Sequence, residues 1–592
     1  MRTFSPSRSV ALLLALVYSA VATSSDQALT DIVDRHWAWT LENYPEMRAE
    51  YGDDSGNAQW TDISLEGFAQ RQQALAAFAV ELDAIEPATL SENARLNRLM
   101  LSREIRDELQ AYASGLHLMG INMRSGPQHK HAMIDWIPLD SVQDFEDWLS
   151  RLEKLPGQLK QHQRLLEVGI ERDRVQARIV MARVPDQINR VVVSDTEQSP
   201  FYKAFIQLPD DIPAETATRL RQRAKSIIEN QLNPAYSAFG EFIGSTYLPA
   251  TREQPGVGSL AGGKALYRER VAHYTTTELS PEAIHQIGLD EVARIRDEME
   301  QVIAEVGFKG EIAQFNEYLR TDPQFYYESP EALLEGYQAI AKRIDPQLVK
   351  LFGQLPRMPY GVRAIPEEMA PDTTTAYYMG PAADGSRAGW YYVNLYKPEV
   401  RPKYEMEVLS VHESVPGHHL QIALAMELGQ LPEFRKNSNV TAFVEGWGLY
   451  SERLGYDLGL YQDPYSRYGQ LIYDMWRAVR LVVDTGIHYF GWSRERAIEF
   501  FKANAAKTET DIINEIDRYI GWPGQALAYK MGQLTMLELR HEAERELGAA
   551  FDIRAFHDHL LGAGALPLDA LEARMRSWIR EQQAPTSSKT AG

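Results

Sequence analysis

The sequence predicts a mainly α-helical fold in two lobes with one small β-hairpin or sheet, and three observations carry that expectation. Apolar residues recur at spacings of three and four over most of the 592 residues. One Gly- and Pro-rich stretch, residues 249–264 (PATREQPGVGSLAGGK), interrupts that period and marks a crossing between lobes. Only residues 373–378 (TTTAYY) and 390–396 (WYYVNLY) have the β-branched and aromatic character of strands, and a Gly-containing turn separates them.

In chain order, residues 1–22 read as a leader: Arg2 and Arg8 are basic, residues 9–20 are apolar, and Ala20-Val21-Ala22 offers a cleavage site after Ala22. The apolar run is short for a membrane span, so no insertion is expected after cleavage. Residues 23–263 form the first lobe, with helical periods at 29–44, 68–85, 94–112, 142–168 and 214–242. Residues 264–583 form the second lobe. Ser280-Pro281-Glu282 starts a helix there, with Ser as N-cap and Pro at the first position, and the period continues to about Ile344. The hairpin follows, then helices from Tyr404 to about Ile579, and a tail, 584–592, expected to be disordered. No internal repeat is seen.

Composition narrows the function. With 82 acidic against 61 basic residues the net charge is −21, which argues against nucleic-acid partners. The absence of cysteine removes disulfides, thiolate metal sites and cysteine nucleophiles, and with a leader it points to a periplasmic or secreted bacterial protein. A glycan on the Asn439-Val440-Thr441 sequon would crowd the helix beginning beside it. Residues 258–264 (GSLAGGK) come close to a phosphate-binding loop, but Ala265 stands where a hydroxyl should hold magnesium, so no nucleotide is expected. His129-Lys130-His131 and the pair His557 and His559 read as solvated surface, and the acidic stretch 290–305 as a solvated helix face.

The chemistry gathers at residues 412–419, His-Glu-Ser-Val-Pro-Gly-His-His, which hold three of the 14 histidines and an acid. In an HExxH helix two histidines four apart share a face and clamp zinc, and the Glu handles the attacking water. Here the spacing is longer. On an ideal helix His418 is rotated by roughly 240° from His412, and His419 lies roughly 10 Å further along. Pro416 would clash with the carbonyl of His412, so the helix must bulge. Looping out two residues, with Gly417 free in its backbone, brings His418 to the second ligand position; using His419 demands a loop of three. On the smaller distortion, His419 points toward substrate or supports the ligands from behind.

Tetrahedral zinc needs another protein ligand and a position for water. Glu445 is the candidate, on a helix made apolar by Phe443, Val444 and Trp447, where an unpaired carboxylate would be costly. Glu452, seven residues later on the same face, is placed to hydrogen-bond a ligand histidine.

The blocks HESVPGHHLQ, FVEGWGLYSE and PGQALAYKMGQLTMLELR, with HAMIDWIPLDSVQDFEDW and GGKALYRERVAHYTTTELSPEAIH, resemble the bacterial domain-of-unknown-function-885 (DUF885) family over nearly the whole mature chain. More distantly, Gly before the second histidine and the later Phe-Val-Glu are similar to thimet-type oligopeptidases, and the long His-Glu spacing with Gly-His is similar to dipeptidyl peptidase III. These resemblances imply a mainly helical zincin-like metallopeptidase. Its one zinc per chain would be held by His412, His418 and Glu445, with Glu413 as base and the small sheet at the cleft.

Zincins present an edge strand that a peptide extends, and Trp390–Asn394 is the candidate, with Tyr391 and Tyr392 facing opposite sides. The oxyanion needs a donor, and His488, Tyr529 and Arg540 are the candidates, His488 with Asp484 to set its tautomer. The expected function is exported zinc-dependent hydrolysis of short peptides. A zinc amidase or esterase, or a secreted binding protein without catalysis, is the alternative.

Overall fold

The apolar periods of the first lobe fold as helices. The computed structural model describes residues 6–49, 53–367, 369–370, 374–382, 385 and 387–583, with side chains from Ser24 onward. Residues 1–5 of the expected leader, the expected tail 584–592 and Thr373 lie outside the described residues. The chain divides into two compact units, Met1–Pro255 and Gly256–Gly592.

The first unit is helical, with long elements at Pro6–Asn43, Leu65–Asp83, Glu92–Ala113 and Val142–Glu171. Short polar side chains start them: Ser64 accepts the Gly67 N–H at 3.0 Å, and Ser141 with Asp144 forms a capping box. The Val142–Glu171 helix supplies the centre of the core through Trp148, Leu149, Leu152 and Leu155, all fully buried. The single helix expected over 214–242 is two, Ala214–Ile227 and Asn233–Phe242, joined through a wide π turn at Ile228–Leu232. Pro234 has no N–H to continue the α ladder, which accounts for the wider turn. His129-Lys130-His131 is not a solvated loop. It lies in a 3₁₀ segment, Pro127–Asp135, where Lys130 sits 4.3 Å over the Trp60 ring and 3.4 Å from Glu46.

The second unit contains the expected Ser280-capped helix, α1 (Pro281–Glu305), in which Ser280 accepts the Ala283 N–H at 3.2 Å. Among its later helices, those around the site are α2 (Met406–Glu413), α3 (His418–Glu427), α4 (Thr441–Asp457), α5 (Pro464–His488), α6 (Glu509–Gly521) and α7 (Ala528–Leu547). Asp463 caps α5 by accepting the N–H groups of Tyr465 and Ser466 at 2.9 and 3.1 Å, with Pro464 at the first position. From Tyr468 onward α5 is buried on nearly every side, and each fully buried aliphatic residue such as Val479, Leu481 or Val482 contributes about 2 kcal/mol. His557 is likewise a core residue, between the Tyr450 hydroxyl and the Leu351 carbonyl at 2.8 Å each, rather than surface. Among the described residues no helix is long and apolar enough to cross a membrane.

Among the described residues the sheet has three strands in the order β1–β3–β2: β1 (Tyr360–Ala364), β2 (Ala376–Met379) and β3 (Gly389–Val393). The expected hairpin is β2–β3, antiparallel with Ala376 opposite Val393 and Met379 opposite Trp390. The sequence reading missed β1, which pairs parallel with β3, Tyr360 opposite Gly389 and Ala364 opposite Val393. β3 is therefore the central strand. Both its edges are occupied, so it cannot be the edge to which a peptide adds.

Candidate metal centre

The motif helix breaks rather than bulges. α2 ends at Glu413, α3 begins at His418, and Ser414–Gly417 forms a turn between them. The Gly417 N–H reaches back to the Val411 carbonyl at 3.0 Å and the His419 N–H to Ser414 at 3.0 Å, contacts wider than the α ladder. A Cβ on Gly417 would lie 1.9 Å from the His412 carbonyl oxygen, so only glycine fits the turn. The Pro416 carbonyl, freed by the break, accepts the buried Trp447 indole N–H at 2.8 Å, which ties the turn to α4.

The break sets His418 beside His412, with ring centroids 4.7 Å apart and planes at 87°. Across from them Glu445 on α4 directs Oε2 to within 3.8 Å of His412 Nε2 and 3.7 Å of His418 Nε2. The three ligand atoms lie within 4.8 Å of one another. Tetrahedral zinc with ordinary bond lengths places its ligand atoms about 3.4 Å apart, so only a small contraction closes the set. Two neutral imidazoles and one carboxylate match the donor chemistry of a catalytic zinc with an open position. Gly448 lets His412 lie flat on α4, since a Cβ there would come 2.7 Å from the ring.

Behind the ligands, His412 Nδ1–H donates to Glu452 Oε1 at 2.9 Å, which leaves Nε2 free for a metal. Glu452 is fully buried, with Arg477 3.5 Å away. Burial pushes the His412 pKa well below and the His418 pKa below the usual imidazole value, so both are neutral and able to ligate. Burial pushes the Glu413 carboxyl up to about 8, helped by the charges of Glu445 and Glu452 and opposed by Arg477 and a hydrogen bond from the Tyr378 backbone. Glu452 also rises to about 8 through burial, against the pull of Arg477. A divalent cation at the three ligands favours the ionised form of both acids. Glu452→Gln keeps an acceptor for His412 but drops the charge, and zinc affinity measured by chelator competition is expected to fall about tenfold.

Tyr529, on α7, belongs to this neighbourhood: burial raises its phenol pKa, the Glu445 charge raises it further, and the Arg480 guanidinium stacks 4.4 Å over its ring. His419 turns away from the ligand set. Its Nδ1 meets the Tyr378 hydroxyl at 2.8 Å and its Nε2 the Met358 carbonyl at 3.1 Å, and burial lowers its pKa to about 4.

Other expected residues stand elsewhere. His488 is a structural residue: its Nδ1 accepts the Val257 N–H at 3.1 Å and its Nε2 donates to the Tyr519 carbonyl at 2.9 Å, so neither nitrogen is left for an oxyanion. Asp484 does not set its tautomer but accepts from the Tyr267 hydroxyl at 2.5 Å and the Gly524 N–H at 3.0 Å. Arg540 is held by Asp457 at 2.8 Å and Glu544 at 2.9 Å. Tyr391 and Tyr392 do face opposite sides of β3, yet both are buried. Tyr391 packs edge-on to Tyr337 at 5.8 Å, and Tyr392 stacks on Tyr377 at 4.7 Å under Arg363, so neither is presented to a substrate. The sequence reading missed Arg477, Arg480 and Tyr378. The signal for the two arginines was their spacing of three in a largely apolar stretch of α5, a placement that calls for buried partners.

A family model described as "Bacterial protein of unknown function (DUF885)" matches residues 45–575. No curated protein matches with significance. Among solved structures, "the putative lipoprotein from Colwellia psychrerythraea" is similar with a TM-score of 0.88 at 27% identity, over 94% of this chain and 99% of that one. "A putative lipoprotein of unknown function from Shewanella oneidensis" shares the fold with a TM-score of 0.73 at 16% identity, over 93% and 99%.

Proposed function

The chain belongs to the DUF885 family of bacterial proteins of unknown function, and we propose that it is an exported, zinc-dependent, zincin-like peptidase. The observation that carries this reading is the convergence of His412 Nε2, His418 Nε2 and Glu445 Oε2 beside the acid Glu413. Zinc held there would polarise a scissile carbonyl and acidify a water. Glu413 takes the proton of the attacking water and passes it to the leaving amine. The Tyr529 hydroxyl donates to the oxygen on which negative charge develops. Glu452, steadied by Arg477, keeps His412 in its Nδ1–H tautomer. A substrate backbone pairs along β2, an outer strand of the sheet, rather than along the enclosed β3. Export is supported by the leader-like residues 1–22 and by the lipoprotein description of the similar Colwellia psychrerythraea structure.

The resemblance to oligopeptidases adds substrate length to this reading. The purified protein is expected to cleave peptides of up to about a dozen residues from a mixed library, with loss of activity on chelation, and to leave intact casein uncut. Efficient digestion of casein with no cleavage of short peptides would overturn the length assignment.

A further inference from the structure

We propose that His419 is a positioning residue that acts through Tyr378 to lock strand β2 in place against Glu413. It sits one residue past the candidate ligand His418, yet its ring contacts go to the sheet and to the chain just ahead of it. Nε2–H donates to the carbonyl of Met358, just ahead of β1, and this bond leaves Nδ1 as an acceptor for the hydroxyl of Tyr378 on β2. The imidazole also lies 4.8 Å from the ring of Tyr360 on β1. β3 makes room for the pair. A Cβ on its Gly389 would come 2.4 Å from the Tyr378 hydroxyl and 2.8 Å from His419 Nδ1. One ring is thus keyed to all three strands.

The consequence runs through the backbone. Strand β2 packs on the helix that ends at Glu413, and the Tyr378 backbone pulls the Glu413 carboxyl pKa down against the push of burial, so the side chain of Tyr378 is held by His419 while its main chain lies beside the acid. His419 follows the break and Glu413 precedes it, which makes the turn Ser414–Gly417 one side of a closed loop of contacts: Glu413, Tyr378, His419 and back along the chain. Freeing the tyrosine hydroxyl lets β2 move relative to the metal helix without touching His412, His418 or Glu445. The role in turnover rests on the reading of Glu413 as base; the mechanical linkage does not.

Tyr378→Phe removes one hydroxyl and nothing else, His419→Gln removes the ring, and the double variant tests whether they act as one unit. With zinc loaded, each single variant is expected to keep one zinc per chain and lose about tenfold in kcat with KM changed less than about threefold. The double variant is expected to be no slower than the slower single, because the two groups share one interaction. Amide hydrogen exchange in the segment spanning 376–379 should become about tenfold faster in both single variants. Unchanged exchange there in Tyr378→Phe, or additive losses in the double variant, would overturn the linkage. A wild-type protein without peptidase activity that still shows the exchange response would overturn the functional reading and leave the linkage standing.

Discussion

Glu413→Gln is expected to bind zinc as the wild type does and to turn over peptide at least about 100-fold more slowly. The amide has nearly the same shape and volume, so the break, the sheet and the candidate ligand set should persist. What it lacks is the ability to take the proton of the attacking water. Burial with two neighbouring carboxylates makes Glu413 a strongly held proton acceptor, a poor choice for a purely structural residue and a suitable one for a base. Metal analysis beside single-turnover kinetics checks both halves of the statement. Full activity in the amide variant would make the acid structural.

The second large effect is on the metal itself. His418→Ala and Glu445→Ala each remove one of three ligands whose donor atoms sit within 4.8 Å of each other, and each is expected to purify without zinc and without activity. His419→Ala is expected to retain zinc and show only a kinetic defect, since both nitrogens of that ring are engaged by Tyr378 and Met358. The adjacent histidines are therefore separable by metal content alone. The reverse pattern, with zinc lost from His419→Ala and kept by His418→Ala, would assign the ligand to the wrong ring.

Helices were legible in this chain because their apolar period is local. Ser280-Pro281 announced α1, and Asp463-Pro464 opens α5 with the same chemistry. The parallel strand β1 was not legible: Tyr-Gly-Val-Arg-Ala carries little strand character, and its pairing with β3 depends on chain far away in sequence. The cluster of His412, His418 and Glu445, with Glu452 behind it, could be read because acids on an apolar helix demand partners and the histidines stand close together. The turn could be foreseen from Pro416 and Gly417, though as a bulge rather than a full break. His488 misled because a histidine on an apolar helix signals a buried partner without saying which, and its partners are backbone groups of Val257 and Tyr519. The same ambiguity hid Arg477, whose partner Glu452 is on another helix. Tyr378 and His419 were visible as residues, but their linkage exists only once three strands and a helix start converge.

Whether His412, His418 and Glu445 hold a catalytic zinc is read by following metal content together with peptidase activity through a chelator titration. About one zinc per chain is expected, with activity falling in proportion as zinc is withdrawn and recovering when zinc is added back. A protein that stays fully active on peptides with its metal gone would contradict it.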